Sequence, residues 1–341
     1  MLSRFFDIER CIHSLKTGIA CIVGLLFSRL IGFPADQWVV ITIIVVMCAQ
    51  IYVGSVLQKA YLRFIGTCLG CLFAIFAIEL MHHTLFTLAI TIGVSSFLFS
   101  YIAVSQDRFS YAGTLGAVTT AIILLGQEPT IGFAFERFME ISVGILIATL
   151  ISQYVLPIHA RTHLRRTQAS TLTQLRDLYI TAMSTRSDTE AFNYIEPDEF
   201  IVKSLTKQRQ LAKESTHESR KSAFDLNNFM HSFYCEKEIL RSFDFMHHAI
   251  RHVDNAKNNF FQSEKMHEFN EKIVQALNTL IKVIETGKPE QEHIHLPSLN
   301  ALKQTATENF YIDGFLFAAE ILQDNLEKLA VYYHIKVLRD E

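Results

Sequence analysis

Ionisable side chains inside long apolar runs are the first candidates for chemistry, because each costs free energy to place in lipid. Arg137 and Glu140 are such a pair. Spaced i, i+3 on a helix, they share one face and can meet. Neutralisation of the guanidinium by the carboxylate is the simpler role. It is compatible with a sharper one, in which Arg137 binds a substrate anion while Glu140 carries a proton. Four further cations, Arg10, Lys16, Lys59 and Arg63, flank apolar segments. Membrane topology alone can account for them. Gathered at several helix mouths, they would also form a cationic funnel that concentrates anions before dehydration.

Histidine and cysteine offer a second kind of chemistry. His248 and His252 have the i, i+4 spacing that metals use, but no glutamate lies between them and no third ligand is recognisable. His247 stands beside them, and His293 and His295 fall in an expected loop. Surface or packing roles suit all five better. Cys68 and Cys71 form a C-x-x-C inside an apolar stretch, with no second pair or adjacent histidine, and read as small membrane-helix residues. No metal or cofactor is expected.

The elements that must position these residues differ sharply between the two halves of the 341-residue chain. Residues 1–159 hold 8 Lys/Arg and 8 Asp/Glu, whereas residues 160–341 hold 23 and 26. The first half is as poor in charge as lipid requires, and the second exceeds an average soluble domain. That contrast excludes a single soluble globule, a disordered chain and a disulfide scaffold. It places a six-helix membrane domain at 1–159 and a cytoplasmic helical domain at 160–341, an all-α integral membrane protein.

A spanning helix needs about 20 mostly apolar residues to cover roughly 30 Å of hydrocarbon. Six runs qualify: Thr17–Ser28, Trp38–Leu57, Phe64–Leu80, Leu85–Val104, Phe109–Leu125 and Ile141–Ile158. Arg4, Asp7, Glu9 and Arg10 precede the first, and no small-residue cleavage site follows, so it reads as a retained helix. Turn or boundary signals separate the runs at Gly32-Phe33-Pro34, His82-His83, Gln106-Asp107-Arg108 and Gly126-Gln127-Glu128-Pro129. Arg4, Arg10, Lys16, Lys59, Arg63, Arg108, Arg161, Arg165 and Arg166 fall on one side, and only Arg29 and Arg137 on the other. Positive-inside bias therefore puts both termini in the cytoplasm, as an even number of spans requires. Glu79 and Trp38 read as interfacial residues. Gly66 and Gly70 form a G-x-x-x-G, and Gly113 and Gly116 bring the fifth run close to a neighbour.

After Pro157 the pattern becomes amphipathic. Leu164–Thr185 carries apolar residues at helical spacing, Thr185–Pro197 is an expected linker, and further helices are predicted near 198–220, 225–255, 264–286 and 298–338, the last broken at Gly314. Phe224, Phe229, Phe233, Phe243 and Phe245 are expected in the core or in dimer packing. The chain lacks a phosphate-binding G-x-x-x-x-G-K-[ST], a G-x-S-x-G elbow and an H-E-x-x-H, so it is expected to be neither an ATP-driven pump nor an enzyme. A net charge of −3 over residues 160–341 gives no nucleic-acid surface.

Several of these residues also fall into a recognisable order. Arg10 and Lys16 lead through a Gly-Phe-Pro turn to Trp38, then to Gly54, Lys59 and the run Arg63-Phe64-Ile65-Gly66-Thr67-Cys68-Leu69-Gly70; the sixth run carries Arg137-Phe138-Met139-Glu140-Ile141-Ser142-Val143-Gly144 and ends at Pro157. Over about residues 8–160 this resembles the fusaric acid resistance or aromatic acid exporter superfamily, with an R-x-x-G-T-x-x-G in its third helix and an R-x-x-E-x-x-x-G in its sixth. Plant aluminium-activated malate channels resemble it more distantly. The resemblance implies six helices followed by a cytoplasmic helical domain, and ATP-independent export of aromatic or other organic acids from the bacterial inner membrane. With one membrane unit where many members have two, a homodimer is expected, and a periplasmic adaptor is a conceivable partner. Secondary export of a small organic anion through Arg10, Lys16, Lys59, Arg63 and Arg137, with Glu140 coupling to protons, is the leading expectation. A passive anion channel and a non-transporting membrane-tethered scaffold are the alternatives.

Overall fold

A computed structural model describes residues 8–80, 84–105, 109–126, 129–184, 195–218, 224–253, 260–289, 292–304 and 309–339. Arg4, His82, His83, Gln106, Asp107, Arg108, Gln127, Glu128 and most of the expected 185–197 linker lie outside them. The chain divides into two compact units, 1–160 with 217–221, and 161–216 with 222–341.

The N-terminal unit is built from α1 (Ile8–Ile31), α2 (Gln37–Met47), α3 (Val53–Leu80), α4 (Leu85–Ser105), α5 (Ser110–Leu124) and α6 (Ile131–Tyr154). Helices α1, α3 and α4 are long and apolar enough to cross a membrane, and α2 and α5 are shorter apolar helices. Two boundaries differ from the sequence reading. The apolar run expected at Trp38–Leu57 is interrupted between Met47 and Val53, and α3 begins eleven residues before Phe64. A hydropathy average passes over this reversal because Ala49, Ile51 and Tyr52 are themselves apolar. The consequence is functional: Lys59 and Arg63 lie inside α3, not in a connection before it. Likewise α6 starts ten residues before Ile141, with Thr130 capping it through the Phe133 N–H at 3.2 Å.

Small residues set the helix spacing. Gly66 and Gly70 of α3 face α5 so closely that a Cβ at either would fall 2.5 Å from the Ala112 carbonyl or 2.7 Å from that of Gly116. Thr120 donates to the Gly70 carbonyl at 3.1 Å across the same seam. Gly113 meets α4 at Phe99 and Ala103, and Gly144 of α6 meets α2 at Val39 and Thr42. Helix α3 also packs against α6, and α2 against α1. Cys71 lies against the Ala134 carbonyl with its thiol free, and Cys68 is also unbridged.

The C-terminal unit comprises α7 (Ala160–Ser184), α8 (Ile195–Ser215), α9 (Leu226–His252), α10 (Glu264–Thr286), α11 (Leu299–Lys303) and α12 (Phe310–Tyr332), with β1 (His293–Leu296) and β2 (Lys336–Arg339). Its core joins Leu172, Leu175 and Tyr179 of α7 to Phe243 of α9, Phe269 and Leu277 of α10, and Phe315 and Leu322 of α12. Helix α10 is strongly amphipathic, capped by Ser263 at its start and by Gly287 at φ +70° at its end. Gly314 sits within α12, so the expected break precedes it.

Among the described residues, β1 and β2 are the strands of an otherwise helical architecture and pair in parallel, His293 opposite Lys336 and Leu296 opposite Arg339. The expected loop at His293 and His295 is thus a strand. Its alternation turns both histidines outward and Ile294 and Leu296 into the core, the period-2 signal of a half-buried strand. The i, i+4 pair also packs: the His248 and His252 rings lie 4.1 Å apart, and His252 stacks on Tyr311. Phe229 and Phe243 are fully buried, whereas Phe245 is exposed.

Candidate functional site

The sequence-derived candidates fall into two groups at opposite ends of α2, a helix about 16 Å long at 1.5 Å per residue. At its N-terminal end, Arg137 Nη1 and Glu140 Oε2 pair at 2.6 Å, with side-chain exposures of 3% and 0%. Glu140 Oε1 also accepts the Ala35 N–H at 3.1 Å, tying α6 to the α1–α2 connection. The guanidinium lies between two aromatic rings, 4.8 Å from Phe133 and 5.7 Å from Trp38. Such faces attract a cation, most strongly when it is desolvated. Trp38, expected as an interfacial anchor, is therefore half-buried against Arg137. The i, i+3 spacing on one helix face was sufficient to anticipate the ion pair. Phe133, Trp38 and Ala35 come from tertiary packing.

At the C-terminal end of α2 the chemistry is different. Lys16 on α1 is completely buried, and its Nζ has no hydrogen-bond partner among the described residues. One turn before it, His13 is 6% exposed, with its ring beside the Met47 and Cys48 carbonyls. Cys48 in turn neighbours Lys59. Lys59 Nζ stands 5.3 Å from the Tyr111 ring centre, and the same phenol neighbours the Arg63 guanidinium. Arg63 is 4% exposed, and its Nε has no hydrogen-bond partner among the described residues. Arg10 sits exposed in the first turn of α1.

Lys16, Lys59 and Arg63 therefore gather at one end of the N-terminal unit, and Arg137 and Glu140 at the other. Sequence reasoning missed His13 and Tyr111. The i, i+3 relation of His13 to Lys16 was available as a signal. Tyr111 carries none, because only the α3–α5 packing brings it to Lys59 and Arg63.

An uncompensated ammonium in a dry interior is costly, whereas a paired and hydrogen-bonded charge is much less so. The Arg137–Glu140 site is a charge-neutralised pair, although Arg137 Nε, like Arg63 Nε, has no hydrogen-bond partner among the described residues. The Lys16–Arg63 end has the features of a site that still has donors to offer a negatively charged guest.

Known proteins are similar to this chain in sequence. Inner membrane protein YeeA of Escherichia coli (strain K12) is 28% identical over 181 residues, covering 53% of this chain and 51% of the relative. The p-hydroxybenzoic acid efflux pump subunit AaeB of Musicola paradisiaca (strain Ech703) is 26% identical over 179 residues, covering 51% and 27%. Multidrug resistance protein MdtO of Escherichia coli (strain K12) is 28% identical over 148 residues, covering 42% and 21%. The chain thus spans about half the length of the first of these relatives and about a quarter or less of the others. The fusaric acid resistance protein family (FUSC) matches at residues 10–316, nine-tenths of the sequence and including every residue of both ionic groups. Long apolar helices, the small-residue seams and this match together make the chain a membrane protein of the fusaric acid resistance protein family.

Proposed function

We propose that the chain exports small organic anions, aromatic carboxylates among them, across the bacterial inner membrane as a secondary transporter. The observation that carries this reading is Lys16, a fully buried ammonium with no partner among the described residues, in a unit whose other deeply buried ions include a closed pair. A cation kept in that state at substantial cost is the expected signature of a site completed by an anionic ligand. The name of one relative, a p-hydroxybenzoic acid efflux pump subunit, supports this direction and substrate class.

In this reading α1–α6 all span the membrane and both termini face the cytoplasm. Arg10 stands at the mouth, and Lys16, Lys59 and Arg63 take the carboxylate as it loses water. Aromatic substrates suit the site because Tyr111, already placed against Lys59, offers a face to stack on. Arg137 is the last cation on the route. Proton uptake by Glu140 would break its ion pair and free the guanidinium for the substrate, which couples release to the proton gradient. The chain works as a homodimer, with the C-terminal unit in the cytoplasm.

The test is efflux of radiolabelled p-hydroxybenzoate from inverted or proteoliposomal vesicles under an imposed pH gradient. Lys16→Met and Arg63→Gln are expected to abolish it, and Glu140→Gln to leave transport that no longer responds to the gradient. Wild-type rates in all three variants would overturn the assignment. Unitary currents insensitive to pH in planar bilayers would replace the carrier by a channel.

A further inference from the structure

The C-terminal unit contains a cleft of about 420 Å³ that the transport reading does not use. Its walls come from the start of α7, the start of α9, and the ends of α10 and α12. Arg161, Arg165 and His334 supply basic nitrogen, Phe224 and Tyr333 supply aromatic surface, and Asn228 stands beside them. Among the described residues, no aspartate or glutamate lines it.

The basic groups are held in place by the surrounding structure. Arg165 donates through Nε and Nη2 to the Ile284 carbonyl at 3.3 and 2.7 Å, which fixes the plane of its guanidinium and leaves Nη1 as a donor. Gly287 makes this possible: a Cβ there would fall 2.8 Å from Arg165 Nη2. The Arg161 guanidinium lies 5.6 Å from the Phe224 ring. Tyr333 Oη is buried without a well-formed hydrogen bond among the described residues, and burial holds its pKa well above 10, so it remains a neutral donor. Two acidic groups of this unit, Asp225 and Glu236, do not oppose an anion. Asp225 is engaged as the α9 cap on the Asn228 N–H at 3.0 Å, and burial raises the Glu236 carboxyl to about 8, so it is mostly protonated at neutral pH.

His334 supplies an independent observation. Helix α12 ends with the His334 N–H on Val331 O at 3.0 Å and the Ile335 N–H on Ala330 O at 2.9 Å, the paired bonds of a Schellman ending. That ending places His334 at φ +58°, a position that favours glycine. A histidine held there, with its side chain on the cleft, is backbone strain retained at a cavity wall.

The geometry points to a second ligand site, in the C-terminal unit, for a small planar organic anion whose carboxylate is taken by Arg165 and His334 and whose ring lies against Phe224 and Tyr333. This inference stands apart from the membrane cations and does not rest on the transport reading.

The experiment is ¹⁹F NMR titration of 4-fluorobenzoate against the purified full chain in nanodiscs, with 4-fluorobenzyl alcohol as the neutral control. Arg165→Gln is expected to weaken benzoate binding about tenfold, the worth of one charge-assisted hydrogen bond. His334→Gly is expected to weaken it too, while the melting temperature holds or rises because strain is relieved. Lys16→Met, in the other unit, is expected to remove only binding at the membrane cations and to leave intact the component that Arg165→Gln weakens. Unchanged affinity in both Arg165→Gln and His334→Gly overturns the site, as does equal binding of the alcohol. Loss of all binding in Lys16→Met alone places the ligand in the membrane unit and overturns it as well.

Discussion

Glu236 in the C-terminal unit and Lys16 in the N-terminal unit are both fully shielded from solvent, but their surroundings treat the charge differently. Glu236 accepts from Gln208 Nε2 at 2.7 Å, and Gln208 also reaches Thr171 Oγ1, which meets Ser204. Burial raises the carboxyl to about 8, so the unit holds it as a neutral acid inside a hydrogen-bonded network. Arg137 and Glu140 represent another solution, mutual neutralisation. Lys16 has no such network and no counter-charge among the described residues. The lesson is that burial alone does not mark a functional charge. What separates Lys16 from the others is that the described residues supply no partner for it.

Three measurements can break or sharpen that contrast. The largest effect is expected at the closed pair. Glu140→Ala strands Arg137 in a dry site and should cost about 3–5 kcal/mol, read as thermal unfolding in nanodiscs, whereas the double change Arg137→Met with Glu140→Met should recover most of it. A large loss in the double variant would mean that the pair does more than satisfy itself.

Next comes the neutral acid. Glu236 binds a proton more tightly in the fold than in the unfolded chain, so the folded state carries the extra proton between about pH 5 and pH 8. Stability from this group is therefore greatest in acid and declines as pH rises through that window, by about 1.4 kcal/mol per unit. Glu236→Gln should flatten the slope, matching wild type near pH 5 and exceeding it by a few kcal/mol at pH 7.5 or above. Parallel wild-type and variant melting curves across pH 5–8 would show that Glu236 is ionised throughout.

The smallest expected change, opposite in sign to the first, belongs to Lys16. Removing an unpaired charge from lipid depth should stabilise the fold, at most by the roughly 2.5–3.5 kcal/mol of insertion scales. Lys16→Met is thus expected to melt higher while transporting less. A lower melting temperature would make Lys16 a structural residue and remove the contrast on which the transport proposal stands.

Legibility differed by the kind of feature. The division of charge at about residue 160 and the apolar runs follow from composition, since lipid and water select for different averages over tens of residues. The Arg137–Glu140 pair was legible because both partners lie on one helix, where spacing dictates proximity. The strand at His293–Leu296 was missed because four residues carry too short a period to separate from a loop, and its partner lies 43 residues further on. The position of Lys59 and Arg63 inside α3 was missed because apolar residues make up most of the reversal before it.

What the residues alone determined is therefore the membrane character of the first half, the helical character of both halves, the family, and the local pairs. The tertiary structure decided which cations are compensated: it brought Ala35, Phe133 and Trp38 to Arg137, left Lys16 beside His13 with no partner among the described residues, and placed Tyr111 beside Lys59 and Arg63. It also closed a basic, aromatic cleft from the ends of four helices. Helical periodicity acts over three or four residues, whereas solvation of a buried charge depends on every element packed around it.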